Sequence, residues 1–323
     1  MSCCWCDVLL YAFVAFIVVQ LIRLIFADAD LSLLWKEKFG KKADSLKGQV
    51  VWITGCSSGI GEYLAYELAK AGCRLILSAR RIEELERVKK QCLIYGPISD
   101  EDILVAPLDV ADVSSHEGAV EAVINHFGQV DVLVNNAGRS QRAMICDTSI
   151  EVDREMIDIN VVGQISLTKT VLPHMRKRKS GHIVVTSSLA GKMGVPFSAT
   201  YCLTKFALHG WFDSLRIESC SDDIKVTMIC PGPVFSDITK HCFTGQKGQL
   251  LNQAMKSNEK RVTTQRCAEL MAAGIANQVE EVWIALQPVL LLAYLTQYFP
   301  SIMKWLACRL GVKTLMKVRE GRN

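Results

Sequence analysis

Tyr201 and Lys205 have the residue types and the spacing of a proton-transfer pair. Four residues apart, they project from the same face of a helix, about one turn from each other. A phenol ordinarily has a pKa of about 10, but a fixed ammonium beside it favours the phenolate, so the pair can exchange a proton near neutral pH. Ser188 lies 13 residues before Tyr201 and offers a hydroxyl to a substrate oxygen. By itself, the pair is more often a core tyrosine beside a solvent-reaching lysine, because this spacing arises by chance in many helices.

A glycine-rich turn precedes these residues in the chain. The apolar run Val50 to Ile53 predicts a parallel strand buried on both faces, and a helix is predicted to begin at Gly59. Gly55, Gly59 and Gly61 let the backbone turn tightly and approach a pyrophosphate, whose charge suits the N-terminus of that helix. An ordinary glycine-rich turn is the alternative interpretation.

Six more segments follow the strand pattern, and a long helix is predicted among them. The strands are Leu75–Ser78, a run ILVAPLD closed by Asp109, Val130–Val134, HIVVTSS after Gly181, Val226–Val234 and Val282–Leu286. The helix, Asp153 to Lys177, contains Asn160. Ligands of open α/β sheets bind beyond the carboxyl ends of the strands, which is where the fifth strand places Ser188.

Several motifs together resemble the short-chain dehydrogenase/reductase family. They are VVWITGCSSGIG, VDVLVNNAG, the lone Asn160, SLAGKMGVPFSATYCLTK and ICPGP, in this order, between about Gly48 and Gln287. FADADLSLLW and VWIALQPVLLLAYLTQY are similar to the membrane-associated dehydrogenase/reductase member 7 branch of that family. The resemblance implies an α/β fold, a Rossmann-type doubly wound parallel sheet in a single catalytic domain.

The resemblance implies catalytic roles for Asn160, Ser188, Tyr201 and Lys205. Tyr201 would donate a proton to the substrate oxygen, and Ser188 would bind the same oxygen. Lys205 would favour deprotonation of Tyr201 and hold the nicotinamide ribose, while Asn160 would hold a water that returns protons. Ser187 is the nearest rival of Ser188, but the family's separation from Tyr201 selects Ser188. No metal site is expected.

The resemblance also assigns cofactor binding to residues along the whole domain. Besides Tyr201 and Lys205, these are Thr54, Gly55, Ser57, Ser58, Gly59, Ile60, Gly61, Arg80, Arg81, Asp109, Asn136, Pro231, Gly232, Val234 and Ser236. After the second strand, an NAD site carries an acidic residue for the ribose hydroxyl, whereas an NADP site offers cations to the 2′-phosphate. Ala79 is not acidic, and Arg80 and Arg81 are cationic, so NADP(H) is predicted over NAD(H). The alternative is that both arginines open a solvated helix.

The apolar stretch near the N-terminus indicates a membrane-bound protein. Residues 8–26 contain 17 apolar or aromatic residues and span roughly 28 Å as a helix. A cleaved signal peptide is the competing interpretation, but no Lys or Arg precedes the run, which favours an anchor. The net charge of the 323 residues is only +4, with cations scattered among carboxylates, so nucleic acid is not an expected partner.

Four parts are therefore predicted. Residues 1–27 form the anchor, 28–47 a linker, 48–287 the Rossmann domain and 288–323 an apolar and basic C-terminal extension. The polar stretch Asp237 to Thr263 is expected to form a mobile lid over the substrate. Tyr294, Tyr298 and Trp305, followed by Lys313 and Lys317, fit amphipathic helices on a bilayer; covering the domain or a dimer surface is the alternative.

The predicted function is NADP(H)-dependent reduction of lipophilic carbonyls, such as steroids, retinals, quinones or xenobiotic ketones. The predicted location is the endoplasmic reticulum membrane, with the side of the membrane undetermined, and a homodimer is compatible with the resemblance. Two alternatives stay open: the same fold acting as a retinol or hydroxysteroid dehydrogenase, and a non-catalytic nucleotide-binding scaffold. The presence of all four catalytic residue types argues against the scaffold.

Overall fold

The computed structural model describes residues 3–320 and shows seven parallel strands with helices on both faces. Residues 1, 2 and 321–323, the ends of the predicted anchor and extension, lie outside this range. The strands are β1 Val50–Thr54, β2 Arg74–Ser78, β3 Ile103–Val105, β4 Val132–Asn135, β5 Gly181–Thr186, β6 Ile224–Pro231 and β7 Glu281–Ile284. The helices are α1 Cys3–Ile25, α2 Leu31–Phe39, α3 Gly59–Lys70, α4 Ile82–Tyr95, α5 His116–Phe127, α6 Ile150–Ile157, α7 Gly163–Arg178, α8 Ala199–Glu218, α9 Thr264–Ala276, α10 Val289–Tyr298 and α11 Pro300–Glu320.

The strand order is β3-β2-β1-β4-β5-β6-β7, and every neighbouring pair is parallel. The chain therefore winds outwards from β1 in one direction and from β4 in the other. Such a reversal opens a crevice at the carboxyl ends of the two central strands, where open α/β sheets bind their ligands. The predicted doubly wound fold is confirmed.

Both faces of the sheet are buried, which explains why its strands are continuous apolar runs. Val51 and Ile53 of β1 pack in one core with α3 and α9, whereas Val50 and Trp52 pack in the other with α7 and α8. All five residues of β1 are buried. Alternate side chains of a strand point to opposite faces, so a sheet covered on both sides needs apolar residues at every position.

The helix predicted from Asp153 to Lys177 is in fact interrupted around Asn160. A π-helical turn, Asp158–Val162, separates α6 from α7. Gly163, the first residue of α7, packs closely against the backbone of Val110. A Cβ on Gly163 would lie only 2.1 Å from the Val110 carbonyl oxygen. Glycine at this position therefore allows the close approach that fixes the interrupted helix against the loop after β3.

Gly163→Ala is expected to destabilise the protein by about 1–3 kcal/mol, because the added methyl overlaps backbone that has to move. Gly118→Ala is the matched control on α5, where a Cβ meets no atom within 4 Å. That control is expected to stabilise the protein by about 0.4–1 kcal/mol, since it reduces the freedom of the unfolded chain. Thermal or urea unfolding in detergent measures both. Equal effects of the two substitutions would contradict the packing argument.

Residues 28–47, expected to be a linker, are instead packed against the enzyme domain, and we call them the strap. Ala29 and Leu33 are fully buried beside α9 and β7. The Asp30 carboxylate caps α2 by accepting from Leu33 N (2.9 Å), and its other oxygen accepts from Trp283 N (2.8 Å). The Asp30 amide donates to the Trp283 carbonyl (2.9 Å). Trp283 is 253 residues away from Asp30 in the sequence, so the local composition of the strap did not reveal these two contacts.

The N-terminal helix occupies the position of the predicted anchor. Among residues 3–320, the stretch Asp7–Ile25 of α1 is the one helical segment long and apolar enough to cross a bilayer, and none of it is buried by the remainder of the protein. At the other end of the chain, α10 packs on the core through Leu290 and Ala293. The following helix, α11, bends at Gly311, where φ is 73°.

Candidate active site

A cavity of about 1120 Å³ lies beyond the carboxyl ends of the strands. Its volume exceeds the usual range for one small ligand, so it has room for a dinucleotide and a substrate together. Nearly all of the sequence-predicted site residues line it. They are Gly55, Ser57, Ser58, Gly59, Ile60, Gly61, Arg80, Arg81, Asp109, Asn136, Ser188, Tyr201, Lys205, Pro231, Gly232, Val234 and Ser236. Thr54 and Asn160 do not line the cavity; they lie behind it.

The turn between β1 and α3 requires its glycines. Gly55 and Gly59 have φ values of +68° and +62°, a region that other residues rarely adopt. A Cβ on Gly61 would lie 2.5 Å from Asn136 Nδ2. Ser58, the residue before α3, does not cap the helix with its side chain, so the first amides of α3 face the cavity without that partner. This turn fits the pyrophosphate of a dinucleotide.

Thr54 and Asn136 hold the turn from behind. Thr54 Oγ1 donates to the Val134 carbonyl (3.2 Å) and accepts from the amide of Asn136 (3.0 Å). The Asn136 side-chain amide donates to the carbonyls of Thr54 (3.0 Å) and Gly55 (3.2 Å). Both side chains therefore tie β1 to β4. The geometry favours a structural role for them, with Asn136 forming part of the cavity wall.

Arg80 and Arg81 follow β2 and line the end of the cavity next to that strand. Arg80 Nη1 lies 3.8 Å from Asp109 Oδ2, and both side chains are about half exposed. Arg81 Nη2 donates to Ser57 Oγ (3.2 Å) on the glycine-rich turn. No acidic residue directly follows β2, so the two guanidinium groups make this end cationic and suited to a phosphate.

Asp109 does not close the third strand as the sequence suggested. Strand β3 ends at Val105, four residues earlier, and Asp109 lies in the following loop. The Asp109 carboxylate accepts from the Ala111 amide (3.1 Å), whereas Asp112 caps the next helical turn. The apolar run continued past the strand because Leu108 and Val110 are also buried, in the loop itself.

Lys205 is buried beside Tyr201. It lies one turn after Tyr201 on α8, with Nζ 5.6 Å from the Tyr201 ring centroid. Nζ donates to the Thr186 carbonyl at the end of β5 (2.8 Å). Burial lowers the pKa of Lys205 from its ordinary value to about 8. A buried ammonium aimed at the strand end can stabilise a developing phenolate and ribose hydroxyl groups at once.

The two serines after β5 point in different directions. Ser188 Oγ donates to the Pro231 carbonyl (3.1 Å) and accepts from the Ala190 amide (3.1 Å) at the cavity wall. Ser187 Oγ is instead buried against His209 Nε2 (3.1 Å) and the carbonyl of Lys205 (3.4 Å). Ser187 thus braces α8 from behind, which leaves Ser188 as the better placed hydroxyl for a substrate oxygen.

Asn160 connects three elements around Lys205. Its Oδ1 accepts from the Arg139 amide (2.8 Å), and its Nδ2 donates to the Arg139 carbonyl (2.9 Å) and to Thr204 Oγ1 (3.1 Å). Gly138 lies between Asn160 and Lys205, because a Cβ there would be 3.1 Å from Asn160 Oδ1 and 3.8 Å from Lys205 Nζ. Both polar groups of the Asn160 side chain therefore help to position the π-helical turn.

Arg139 is a cavity residue that sequence reasoning missed. Its Nη1 donates to the His241 carbonyl (2.9 Å), and its guanidinium lies 5.2 Å from the Phe243 ring centroid. It therefore joins the loop after β4 to the predicted lid, Asp237–Thr263. Its position immediately after the VNNAG motif was the available signal, since every residue that follows a central strand lies at the ligand edge.

A parallel sheet with a glycine-rich turn, and a Tyr–Lys pair beside it in one large cavity, defines a nucleotide-dependent oxidoreductase. The sequence profile described as short chain dehydrogenase matches residues 49–247. The chain belongs to the short-chain dehydrogenase/reductase family, whose members use a nicotinamide cofactor.

Two similar relatives indicate which branch of the family the chain resembles. The chain is 46% identical over 307 residues to dehydrogenase/reductase SDR family member 7 of Homo sapiens, covering 94% of this chain and 90% of the relative. The Mus musculus protein of the same name is 47% identical over the same length. Among solved structures, the chain is similar to an alcohol dehydrogenase from the archaeon Thermococcus sibiricus complexed with 5-hydroxy-NADP. The two are 27% identical and superpose with a TM-score of 0.65, and the match covers 75% of this chain and 97% of the dehydrogenase. The predicted branch is confirmed.

Proposed function

We propose that the protein is an NADP(H)-dependent reductase of lipophilic carbonyl compounds. The observation that carries this proposal is the buried Lys205 ammonium one turn from Tyr201, in the same cavity as Ser188 and the glycine-rich turn. A nucleotide-binding scaffold gains nothing from a buried lysine whose burial disfavours its charge. The arginines after β2 support NADP(H) over NAD(H).

The chain's own residues would divide the chemistry as follows. A reduced nicotinamide held in the cavity would provide hydride chemistry at the carbonyl carbon, and negative charge would then develop on the carbonyl oxygen. Ser188 Oγ donates to that oxygen and orients it, while Tyr201 gives it the proton that completes the alcohol. Lys205 stabilises the resulting phenolate. The predicted water beside Asn160 would then restore the proton to Tyr201 through Lys205.

The substrate class follows from the lining of the cavity and from the anchor. Apolar residues of the C-terminal helices, among them Leu292, Met303 and Leu315, form part of the wall, so an apolar substrate is favoured. Steroids, retinals, quinones and xenobiotic ketones share this property. An anchored enzyme would meet such compounds where they dissolve, and the endoplasmic reticulum membrane is the proposed location.

The direct test is consumption of NADPH by detergent-purified protein with a panel of retinal, steroid ketones and an aromatic dicarbonyl. Turnover supports the reductase. Oxidation of matching alcohols with NADP, at a higher kcat/KM than the reduction, would assign the dehydrogenase direction instead. NADPH binding without turnover in either direction would support the scaffold and overturn the proposal.

Arg80→Glu is expected to lower the ratio of kcat/KM with NADPH to kcat/KM with NADH by about 10- to 100-fold. A hydrogen bond to a charged phosphate contributes about 1.5–3 kcal/mol, and the new carboxylate would repel the phosphate while accepting a ribose hydroxyl. Lys90→Glu is the control, because it makes the same charge change at an exposed position of α4. An unchanged ratio in Arg80→Glu would remove this residue from the 2′-phosphate site.

A further inference from the structure

The substrate end of the cavity is closed by α10 and α11. Leu292 and Thr296 of α10, and Met303, Ala307 and Leu315 of α11, line the cavity. This wall adjoins the predicted cofactor-binding residue Gly232, since a Cβ there would lie 3.5 Å from Val289 Cγ1. A substrate that reaches Ser188 and Tyr201 therefore passes these two helices.

The opposite side of the same two helices is apolar and uncovered in the described chain. Seven large apolar residues are each at least 44% exposed there: Leu291, Tyr298, Phe299, Ile302, Trp305, Leu310 and Val312. Large apolar residues exposed together on one pair of helices, none of them lining the cavity, point to an interaction site. We call these seven residues the outer apolar face.

The charge around the outer apolar face has one sign. Between Pro288 and Lys317 the sequence carries four cations and not one carboxylate; Lys304 lines the cavity, whereas Arg309, Lys313 and Lys317 do not. The Arg309 guanidinium lies 4.7 Å from the ring centroid of Trp305, one of the residues of the outer apolar face. Apolar side chains bordered by cations and an aromatic ring are typical of helices that lie in the plane of a bilayer surface.

The anchor brings the bilayer to this side of the molecule. Gln287, immediately before α10, donates through Nε2 to the Leu24 carbonyl in the last turn of α1 (2.9 Å). Its Oε1 accepts from the Leu291 amide (3.0 Å), so one side chain joins the end of the anchor to the first turn of α10. Gln287 also follows β7, so α1 ends at the carboxyl edge of the sheet, which is the edge that carries the cavity.

We propose that the outer apolar face lies in the membrane surface and that lipophilic substrates reach the cavity from the bilayer, past α10 and α11. This inference rests on the proposed function for its substrate and adds the route of access. It commits the face to lipid. A second copy of the chain is the competing occupant, since exposed apolar helices also form dimers.

The membrane contact is tested without any catalysis. Full-length protein is reconstituted in vesicles of phosphatidylcholine and phosphatidylserine, with or without brominated phosphatidylcholine, and tryptophan fluorescence is recorded for wild type and Trp305→Phe. The bromine atoms are expected to quench the component that Trp305→Phe removes. An unquenched Trp305 component overturns the proposal. Crosslinking of two chains through α11 that Ile302→Glu abolishes would assign the face to a dimer, and it also overturns the proposal.

The route of access is tested by kinetics in the same vesicles. Ile302→Glu is expected to raise KM at least about tenfold for retinal, which dissolves in lipid, while kcat and the KM for a small water-soluble aldehyde stay unchanged. Ile217→Glu is the matched control, since Ile217 is also exposed (75%, against 61% for Ile302) and lies at the end of α8, near the amino edge of the sheet. An equal rise in KM for both substrates, or none for retinal, contradicts the proposed route. If wild type turns over neither substrate, the proposed function fails, and the quenching result still decides the membrane contact.

Discussion

Tyr201→Phe is expected to lower kcat for carbonyl reduction by about 10²- to 10⁴-fold, because it removes the hydroxyl that protonates the substrate oxygen. The ring itself, which packs beside Val152, Met156 and Phe243, remains. NADPH affinity should therefore change little. Steady-state NADPH oxidation measures the loss of kcat, and fluorescence titration of bound NADPH measures the affinity.

Tyr95→Phe is the control for the same loss of a hydroxyl. Tyr95 ends α4, and its ring packs against Tyr66 with centroids 5.2 Å apart, outside the cavity lining. Its kcat should stay within about twofold of wild type, as is usual for surface positions. A Tyr201→Phe enzyme that keeps more than a tenth of the wild-type kcat would show that another group supplies the proton.

Lys205→Met is expected to lower kcat/KM at least about 100-fold, the loss typical of removing one preorganised charge from the reacting centre. Methionine keeps a similar length and apolar character but provides no ammonium for Tyr201 or for the ribose. Lys169→Met makes the same change at an exposed position of α7 and should leave kcat/KM unaltered. Similar losses in the two variants would mean that the effect of Lys205→Met is not local.

The pH dependence of Lys205→Met provides a second measurement on the same variant. Because burial lowers the pKa of Lys205 from 10.5 to about 8, the unfolded chain holds this proton more tightly than the folded one. The free energy of unfolding of the wild type should therefore gain a contribution that is absent below pH 8 and grows up to about pH 10.5. Lys205→Met should lack this contribution, so the difference between the two unfolding curves isolates it.

The protonation state of Lys205 should also determine how the reduction rate of the wild type depends on pH. Reduction should slow as the pH rises through about 8, where the Lys205 ammonium is lost. A rate that stays constant to pH 10, together with an unfolding difference that does not vary with pH, would contradict a buried, titrating Lys205.

The parts of the site that the sequence predicted well are those fixed by local spacing. Tyr201 and Lys205 lie four positions apart on α8, and Gly55, Gly59 and Gly61 lie at the junction of β1 and α3. Helix period and turn geometry relate such residues without any knowledge of distant contacts. The parallel sheet was predictable for a similar reason, since strands buried on both faces are apolar at every position.

The parts that the sequence predicted poorly depend on contacts far along the chain. The break at Asn160 arises where its amide group meets the Arg139 backbone and Gly163 meets Val110, although the apolar pattern runs on through both helices. The contact of Arg139 with the lid joins positions 102 residues apart. No local pattern encodes either contact.

The two faces of α10 and α11 are an intermediate case. The composition of these helices indicated an amphipathic pair, which could lie on a bilayer or cover either the domain or a dimer surface. The structure shows that Leu290 and Ala293 do cover the domain, while the outer apolar face remains exposed. Composition alone did not show which residues cover the domain and which are exposed, because apolar side chains point in nearly all directions around α10.

The strap also has a consequence for the solubility of the enzyme domain. Strand β7 is the last strand of the sheet, and an unprotected outer strand can pair with a strand of another molecule and start aggregation. Asp30 occupies both the amide and the carbonyl of Trp283, and Ala29 forms an antiparallel bridge with Ile284. The segment that links α1 to the enzyme domain thus shields this outer strand, and cutting the chain just before β1 to remove the apolar α1 would remove the shield as well.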